Sequence, residues 1–191
     1  MDADEALNRL KEGNNRFRAG LQESNNSIDE ATRDIHLEGQ SPFATILTCA
    51  DSRVTPEFIF DQGIASLFVI RTAGAIATSS QIASMEFSIA QLQCPLIVVL
   101  GHTRCGAVNA TLQHRSGTSP SSQHLQSMVE HISSLLGEGQ YSLDDAVHLS
   151  AQQTARVLTE QSNVILSAVQ SGRVKIVSAM YDFSTGQVIF S

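Results

Sequence analysis

Two cysteines and a histidine in this sequence have the types and spacing of a metal centre. Cys49 directly follows the apolar run 44–48, and His102 and Cys105 follow a second apolar run, 96–100. Two thiolates and one imidazole make a soft ligand set that favours zinc. Three protein ligands leave the fourth tetrahedral position open, which is typical of catalytic rather than structural zinc. The alternative is a set of buried thiols and a core histidine that share no site.

Short apolar runs alternate with stretches of helical periodicity, and this alternation predicts an α/β fold with a mainly parallel sheet. Sites in open α/β sheets form beyond the carboxyl ends of the strands. We therefore expect Cys49 and the His102–Cys105 pair to meet at one sheet edge, with Cys105 opening a helix whose dipole favours its thiolate. The predicted strands are residues 44–48, 67–70, 96–100 and 174–180, and helical stripes run over residues 82–92 and, from a cap at Ser142, over residues 143–169.

The two ends of the chain differ from this alternation. Residues 3–18 have the periodicity of a helix, whereas residues 19–42 are polar and irregular. Ser184-Thr185-Gly186 is a turn signal, so residues 188–190 are predicted to return antiparallel to the fourth strand. The pattern thus predicts flanking helices around a sheet with one antiparallel edge strand.

Composition limits the classes of partner. The net charge of −7 argues against nucleic acid, because phosphate binding needs a basic face. No apolar run reaches the roughly 18 residues of a membrane span, and the acidic N-terminus has no apolar signal region. Three cysteines do not suggest a disulfide framework. We expect a cytoplasmic protein with no nucleic-acid or membrane partner.

Two charged residues, Asp51 and Arg53, follow Cys49 closely. A carboxylate is a good zinc ligand, so a free Asp51 can occupy the open metal position. Arginine pairs with a carboxylate through two parallel hydrogen bonds, so Arg53 can hold Asp51 away from the metal. The alternative for the two residues is an ordinary ion pair in a loop.

Two segments of the sequence resemble the paired signature of β-class carbonic anhydrases. They are Cys49-Ala50-Asp51-Ser52-Arg53-Val54 and Gly101-His102-Thr103-Arg104-Cys105-Gly106-Ala107-Val108. The resemblance implies zinc on Cys49, His102 and Cys105 and the reversible hydration of carbon dioxide to bicarbonate and a proton by a zinc-bound hydroxide. It extends over nearly the whole chain, through residues 10–17, 60–63, 67–74 and 84–87.

The resemblance also implies roles for residues around the metal. Asp51 accepts a hydrogen bond from the hydroxide, and Arg53 holds Asp51 in place. Gln40 matches a substrate-binding glutamine in the plant-like subtype of the family. Ile46 stands where the other subtype has a tryptophan of a regulatory bicarbonate pocket, so we expect that pocket to be absent. Further matches to substrate-pocket positions are Phe68, Ala73, Phe87 and Gly106, with core packing as the alternative for the two phenylalanines.

The resemblance further implies an assembly of at least two chains, a homodimer or a multiple of it, with the pocket at the subunit interface. Residues 1–42 are expected to be a dimerisation arm, and residues 43–191 the zinc-binding core of a single domain. Two other functions stay open: hydrolysis of carbonyl sulfide or carbon disulfide on the same scaffold, and a non-catalytic zinc protein with Asp51 bound to the metal. A thiol redox protein is disfavoured, because the sequence has no Cys-x-x-Cys pair.

Overall fold

A mostly parallel sheet forms the centre of the described chain. The computed structural model describes residues 1–23 and 30–191, without the side chains of residues 30–32. Residues 24–29 of the predicted arm therefore lie outside the described residues. The strands are β1 Ala44–Cys49, β2 Leu67–Thr72, β3 Leu96–His102, β4 Lys175–Tyr181 and β5 Val188–Phe190. Their order across the sheet is β2-β1-β3-β4-β5.

Helices connect and cover these strands. They are α1 Ala3–Ala19, α2 Glu30–Ile35, α3 Pro56–Ile59, α4 Ser79–Ala90, α5 Gly106–Arg115, α6 Gln123–Leu136, α7 Leu143–Gln161 and α8 Asn163–Gln170, with a 3₁₀ turn at Ala73–Ala75. None of the helices in the described ranges has the length and apolarity needed to span a bilayer.

Strands β1 to β4 run parallel to one another, and β5 is antiparallel to β4. This confirms the predicted fold class. Leu96, Val98 and Leu100 of β3 belong to the core that α1 covers, whereas Ile97 and Val99 belong to the core on the side of α4, α7 and α8. Burial on both faces explains why this strand is a continuous apolar run rather than an alternating one.

One predicted helical stripe is interrupted. The stripe over residues 143–169 starts at the expected Ser142 cap, but Ser162 adopts an extended conformation and separates α7 from α8. The Ser162 hydroxyl accepts a hydrogen bond from the Ile165 N–H and donates one to Glu86. A serine that caps a helix in this way satisfies backbone donors that a continuous helix would have paired itself. Helix α6 was not predicted.

Helix α1 packs on the sheet of its own chain, with Ala6 and Leu10 fully buried in the core. Its buried Asn14 links two parts of the fold: the side-chain amide donates to the carbonyl of Gly186, and its oxygen accepts from the Val188 N–H. These bonds hold the turn before β5 against α1. The predicted arm covers residues 1–42. Helix α1, its first part, therefore contributes to the core of its own chain.

Gly13 lets α1 approach the backbone of Phe60 closely, since a Cβ there would lie 1.8 Å from the carbonyl oxygen of Phe60. Alanine normally stabilises a helix relative to glycine by about 0.5–1 kcal/mol. We predict instead that Gly13→Ala lowers the free energy of unfolding by about 1–3 kcal/mol, because backbone must shift to make room. Urea denaturation measures this, with Asn15→Ala on the exposed side of α1 as the control. Unchanged stability in Gly13→Ala would show that α1 does not pack here.

Candidate metal centre

Parallel strand pairing brings three potential ligands together. Cys49 ends β1, His102 ends β3, and Cys105 is the residue that caps the start of α5. Because β1 and β3 are parallel neighbours, both strands end at the same sheet edge. The ligand atoms of the three buried residues lie within 4.8 Å of one another. The convergence expected from the sequence is therefore present in the fold.

The histidine presents one nitrogen without a partner. Nδ1 of His102 lies 2.9 Å from the carbonyl oxygen of Thr103, and Nε2 is buried with no hydrogen-bond partner. A carbonyl only accepts, so Nδ1 carries the proton and Nε2 holds a free lone pair. A hydrogen bond from one ring nitrogen to a backbone carbonyl usually orients a histidine that binds a metal through its other nitrogen.

The two thiols have the separation that a tetrahedral ion requires. The sulfurs of Cys49 and Cys105 are 4.0 Å apart. Two sulfurs bound to one zinc ion at about 2.3 Å and a tetrahedral angle would be about 3.8 Å apart. The donor set, its spacing and the orphaned Nε2 therefore fit a zinc ion.

Backbone N–H groups influence both thiols. Gly74 donates to the sulfur of Cys49 at 3.4 Å, and the backbone N–H groups of Ala107 and Val108, in the first turn of α5, act to lower the pKa of Cys105. The hydrogen bond between the two sulfurs lowers the pKa of Cys49, and the same bond, with burial, raises the pKa of Cys105. A divalent cation must displace protons to bind, so metal affinity rises with pH.

Asp51 is held by Arg53 beside this centre. The Arg53 Nε and Nη2 atoms donate to the two carboxylate oxygens at 2.9 and 2.7 Å, and the Arg53 backbone N–H donates to Oδ1 at 3.0 Å. The hydrogen bonds from Arg53 lower the pKa of Asp51 to about 2, so the carboxylate is ionised at neutral pH. Among the described residues, Asp51 is not part of the ligand cluster.

The predicted pocket residues fall into two groups. Ala73 precedes Gly74, and Gly106 follows Cys105 at the start of α5, so both are adjacent to residues of the metal centre. Phe68 pairs with Thr45 near the beginning of β1, about 13 Å along the strand from Cys49. Its ring lies 6.3 Å from that of Phe87, whose side chain is 48% exposed.

Gln40 lies beyond the opposite end of β1. It lines a surface pocket with residues such as Arg9, Phe43 and Gln93, and that pocket contains none of the three potential metal ligands. The two ends of β1 alone are about 16 Å apart. The described chain therefore does not bring Gln40 to its own metal centre.

Sequence reasoning assigned no role to several residues of the site. The guanidinium of Arg71 donates to the carbonyl oxygens of Cys49 and Asp51, at 3.3 and 2.6 Å, and so holds the loop after β1. Gly74 needs its positive φ of 73°, and a Cβ there would lie 2.7 Å from Ile132. Phe183 contacts both Arg53 and His102. Arg71 and Gly74 lie within a segment that resembles the family, but no local signal marks Phe183.

Known proteins resemble this chain in sequence over most of its length. A family model described as carbonic anhydrase matches residues 44–188. Carbonic anhydrase 2 of Mycobacterium tuberculosis is 40% identical over 186 residues, which cover 94% of this chain and 88% of the relative. The chain belongs to the β-carbonic anhydrase family. It is thus a lyase that hydrates carbon dioxide, and hydrolysis of carbonyl sulfide or carbon disulfide is not favoured.

Solved structures agree with this assignment. The β-carbonic anhydrase CcaA superposes with a TM-score of 0.73 at 26% identity, over 97% of this chain and 87% of that one. A chain from the crystal structures of two tetrameric β-carbonic anhydrases of the ascomycete Sordaria macrospora reaches a TM-score of 0.72, over 97% of this chain and 96% of that one. At 17% identity, the latter likeness shows the fold alone.

The ligand set makes a direct prediction about metal content. Cys49→Ser and Cys105→Ser should each lower the bound metal well below one ion per chain, because a hydroxyl replaces a thiolate poorly. Cys94→Ser is the matched control, since this third buried thiol lies outside the cluster and is 1% exposed. Elemental analysis of the purified variants measures the effect. Full metal occupancy in both Cys49→Ser and Cys105→Ser would contradict the assignment.

Proposed function

We propose that each chain binds one zinc ion through the sulfurs of Cys49 and Cys105 and Nε2 of His102, and uses it to hydrate carbon dioxide reversibly. The buried, unpartnered Nε2 facing two thiols 4.0 Å apart is the observation that carries this proposal. Bound zinc supplies Lewis acidity that lowers the pKa of water toward 7 and so provides a nucleophile at neutral pH. A reducing cytoplasm, the proposed location, keeps the ligand thiols available.

Asp51 orients the attacking oxygen in this proposal. Its carboxylate is ionised at neutral pH, and both of its oxygens are held by Arg53. Oδ1 accepts two of these bonds and Oδ2 only one, so Oδ2 can also accept a hydrogen bond from the nucleophile. That bond aims a lone pair of the nucleophile at the carbon of the substrate. Arg53 thereby also keeps a competing zinc ligand away from the open position.

This gating account predicts a specific defect in Arg53→Ala. The freed Asp51 should compete for the open zinc position and lower the hydration rate per bound zinc by about 10- to 100-fold, while zinc stays bound. The double variant Asp51→Ala/Arg53→Ala should be no slower than Arg53→Ala, because the two residues act as one unit. Stopped-flow hydration assays normalised to zinc measure both rates.

The control for this prediction is Arg156→Ala, which removes another paired arginine, on α7. It should leave the hydration rate unchanged. A near-normal rate per zinc in Arg53→Ala, accompanied only by a lower melting temperature, would mean that Arg53 merely stabilises its loop.

We further propose a homodimer, or a multiple of it, in which each chain completes the pocket of its partner. Three predicted pocket residues, Gln40, Phe68 and Phe87, lie toward the end of the strands opposite the metal centre. They also lie near β2, which is one of the two edge strands of the described sheet. An edge strand flanked by a half-exposed phenylalanine is a surface suited to self-association. Residues 19–42 are proposed to take part in this contact.

Mixed assemblies test this arrangement. Cys49→Ser chains lack a metal ligand and Gln40→Ala chains lack the substrate amide, so each homodimer should hydrate carbon dioxide slowly. If Gln40 serves the partner, co-expressed chains should recover activity in about a quarter of their sites, because one site of each mixed dimer is complete. Cys49→Ser paired with Arg53→Ala is the control and should recover nothing, since Arg53 acts on its own Asp51. Absence of recovery in the first pair would contradict the shared pocket.

A further inference from the structure

Phe183 connects the Asp51–Arg53 pair to the metal centre. Its ring centroid lies 4.2 Å from the guanidinium carbon of Arg53 and 5.0 Å from the ring centroid of His102. The Phe183 backbone N–H donates to the hydroxyl of Thr103, which follows His102 directly. The ring of Tyr181 meets that of Phe183 edge-on at 5.4 Å. Phe183 is thus anchored to the same loop that carries the ligands His102 and Cys105.

Arg53 needs a support of this kind. Its side chain is 54% exposed, and a long exposed side chain loses considerable rotamer entropy when it is held in one geometry. The edge of the guanidinium is used by its two hydrogen bonds to Asp51, and one face lies over the Phe183 ring. A planar guanidinium stacks well on an aromatic face, and this attraction restrains Arg53 without competing for its donors.

We infer that Phe183 is a positioning residue that holds Arg53 in the orientation in which Asp51 stays off the metal. The inference rests on the proposed function, since it concerns the same open position. When the ring is removed, Arg53 is free to adopt other rotamers and releases Asp51 for part of the time. The open position is then shared between Asp51 and any incoming ligand. The competing account is that Phe183 only packs against His102 and supports the fold.

Azide binding to the cobalt-substituted protein separates the two accounts. Azide reports the availability of the open position through the visible spectrum of cobalt, without any measurement of turnover. We compare Phe183→Leu and Phe183→Met, which remove the aromatic face, with Phe183→Tyr, which retains it. Phe190→Leu is the matched control, because that ring packs against Phe60, outside the metal centre. Each variant is also made in an Asp51→Asn background, where the competing carboxylate is absent.

Phe183→Leu should weaken azide binding about two- to five-fold, whereas Phe183→Tyr and Phe190→Leu should match the wild type. In the Asp51→Asn background, Phe183→Leu should have no effect. Phe183→Met should behave like Phe183→Leu in both backgrounds. It replaces Phe183→Leu as the test variant if Phe183→Leu does not fold. Unchanged azide affinity, or equal weakening with and without Asp51, overturns the inference alone. A wild-type protein that takes up no cobalt at the Cys49–His102–Cys105 centre overturns the proposed function as well.

Discussion

The parallel hydrogen bonding between β1 and β3 determines whether this chain has a metal centre. Neighbouring strands are about 4.8 Å apart, so side chains at their two ends start within reach of one ion. Cys49 and His102 occupy those ends, and the first turn of α5 brings Cys105 to the same place. If the strand order placed another strand between β1 and β3, the same residues would lie too far apart to share an ion. The apolar runs that bury these strands on both faces therefore also support the site.

The ligands and the Asp51–Arg53 pair are held in different ways. The ligands are buried, Gly74 donates to the Cys49 sulfur and the Thr103 carbonyl orients His102, so their geometry follows from the fold. The Arg53 side chain is more than half exposed, and its position depends on hydrogen bonds to Asp51 and stacking on Phe183. The buried ligands are thus the rigid part of the site and hold the metal. The Asp51–Arg53 pair is the adjustable part and protects the open coordination position.

The features that could be predicted from the sequence depend on neighbouring residues. The position of Cys49 after an apolar run, the Ser142 cap and the return of β5 are each encoded within a few residues, and the structure has all three. The break at Ser162 was missed because the apolar stripe continues across it, and only the backbone conformation of the serine reveals the cap. Gln40 illustrates another limit: resemblance assigns it to substrate, but β1 separates it from the metal ligands of its own chain.

The role of Phe183 depends on tertiary structure. Its contacts with Arg53 and His102 arise only when β4 pairs with β3, which places residues far apart in sequence around one loop. Such a contact cannot be predicted from amino-acid type and spacing.

A crystal structure of the zinc-loaded protein at neutral pH, with anomalous data at the zinc edge, tests the central claim most directly. We predict one zinc ion bound by Cys49, Nε2 of His102 and Cys105, with a non-protein fourth ligand and with Asp51 still paired to Arg53. An anomalous peak elsewhere would contradict the ligand assignment. A carboxylate oxygen of Asp51 bound to the zinc would contradict the claim that Arg53 keeps the fourth position open.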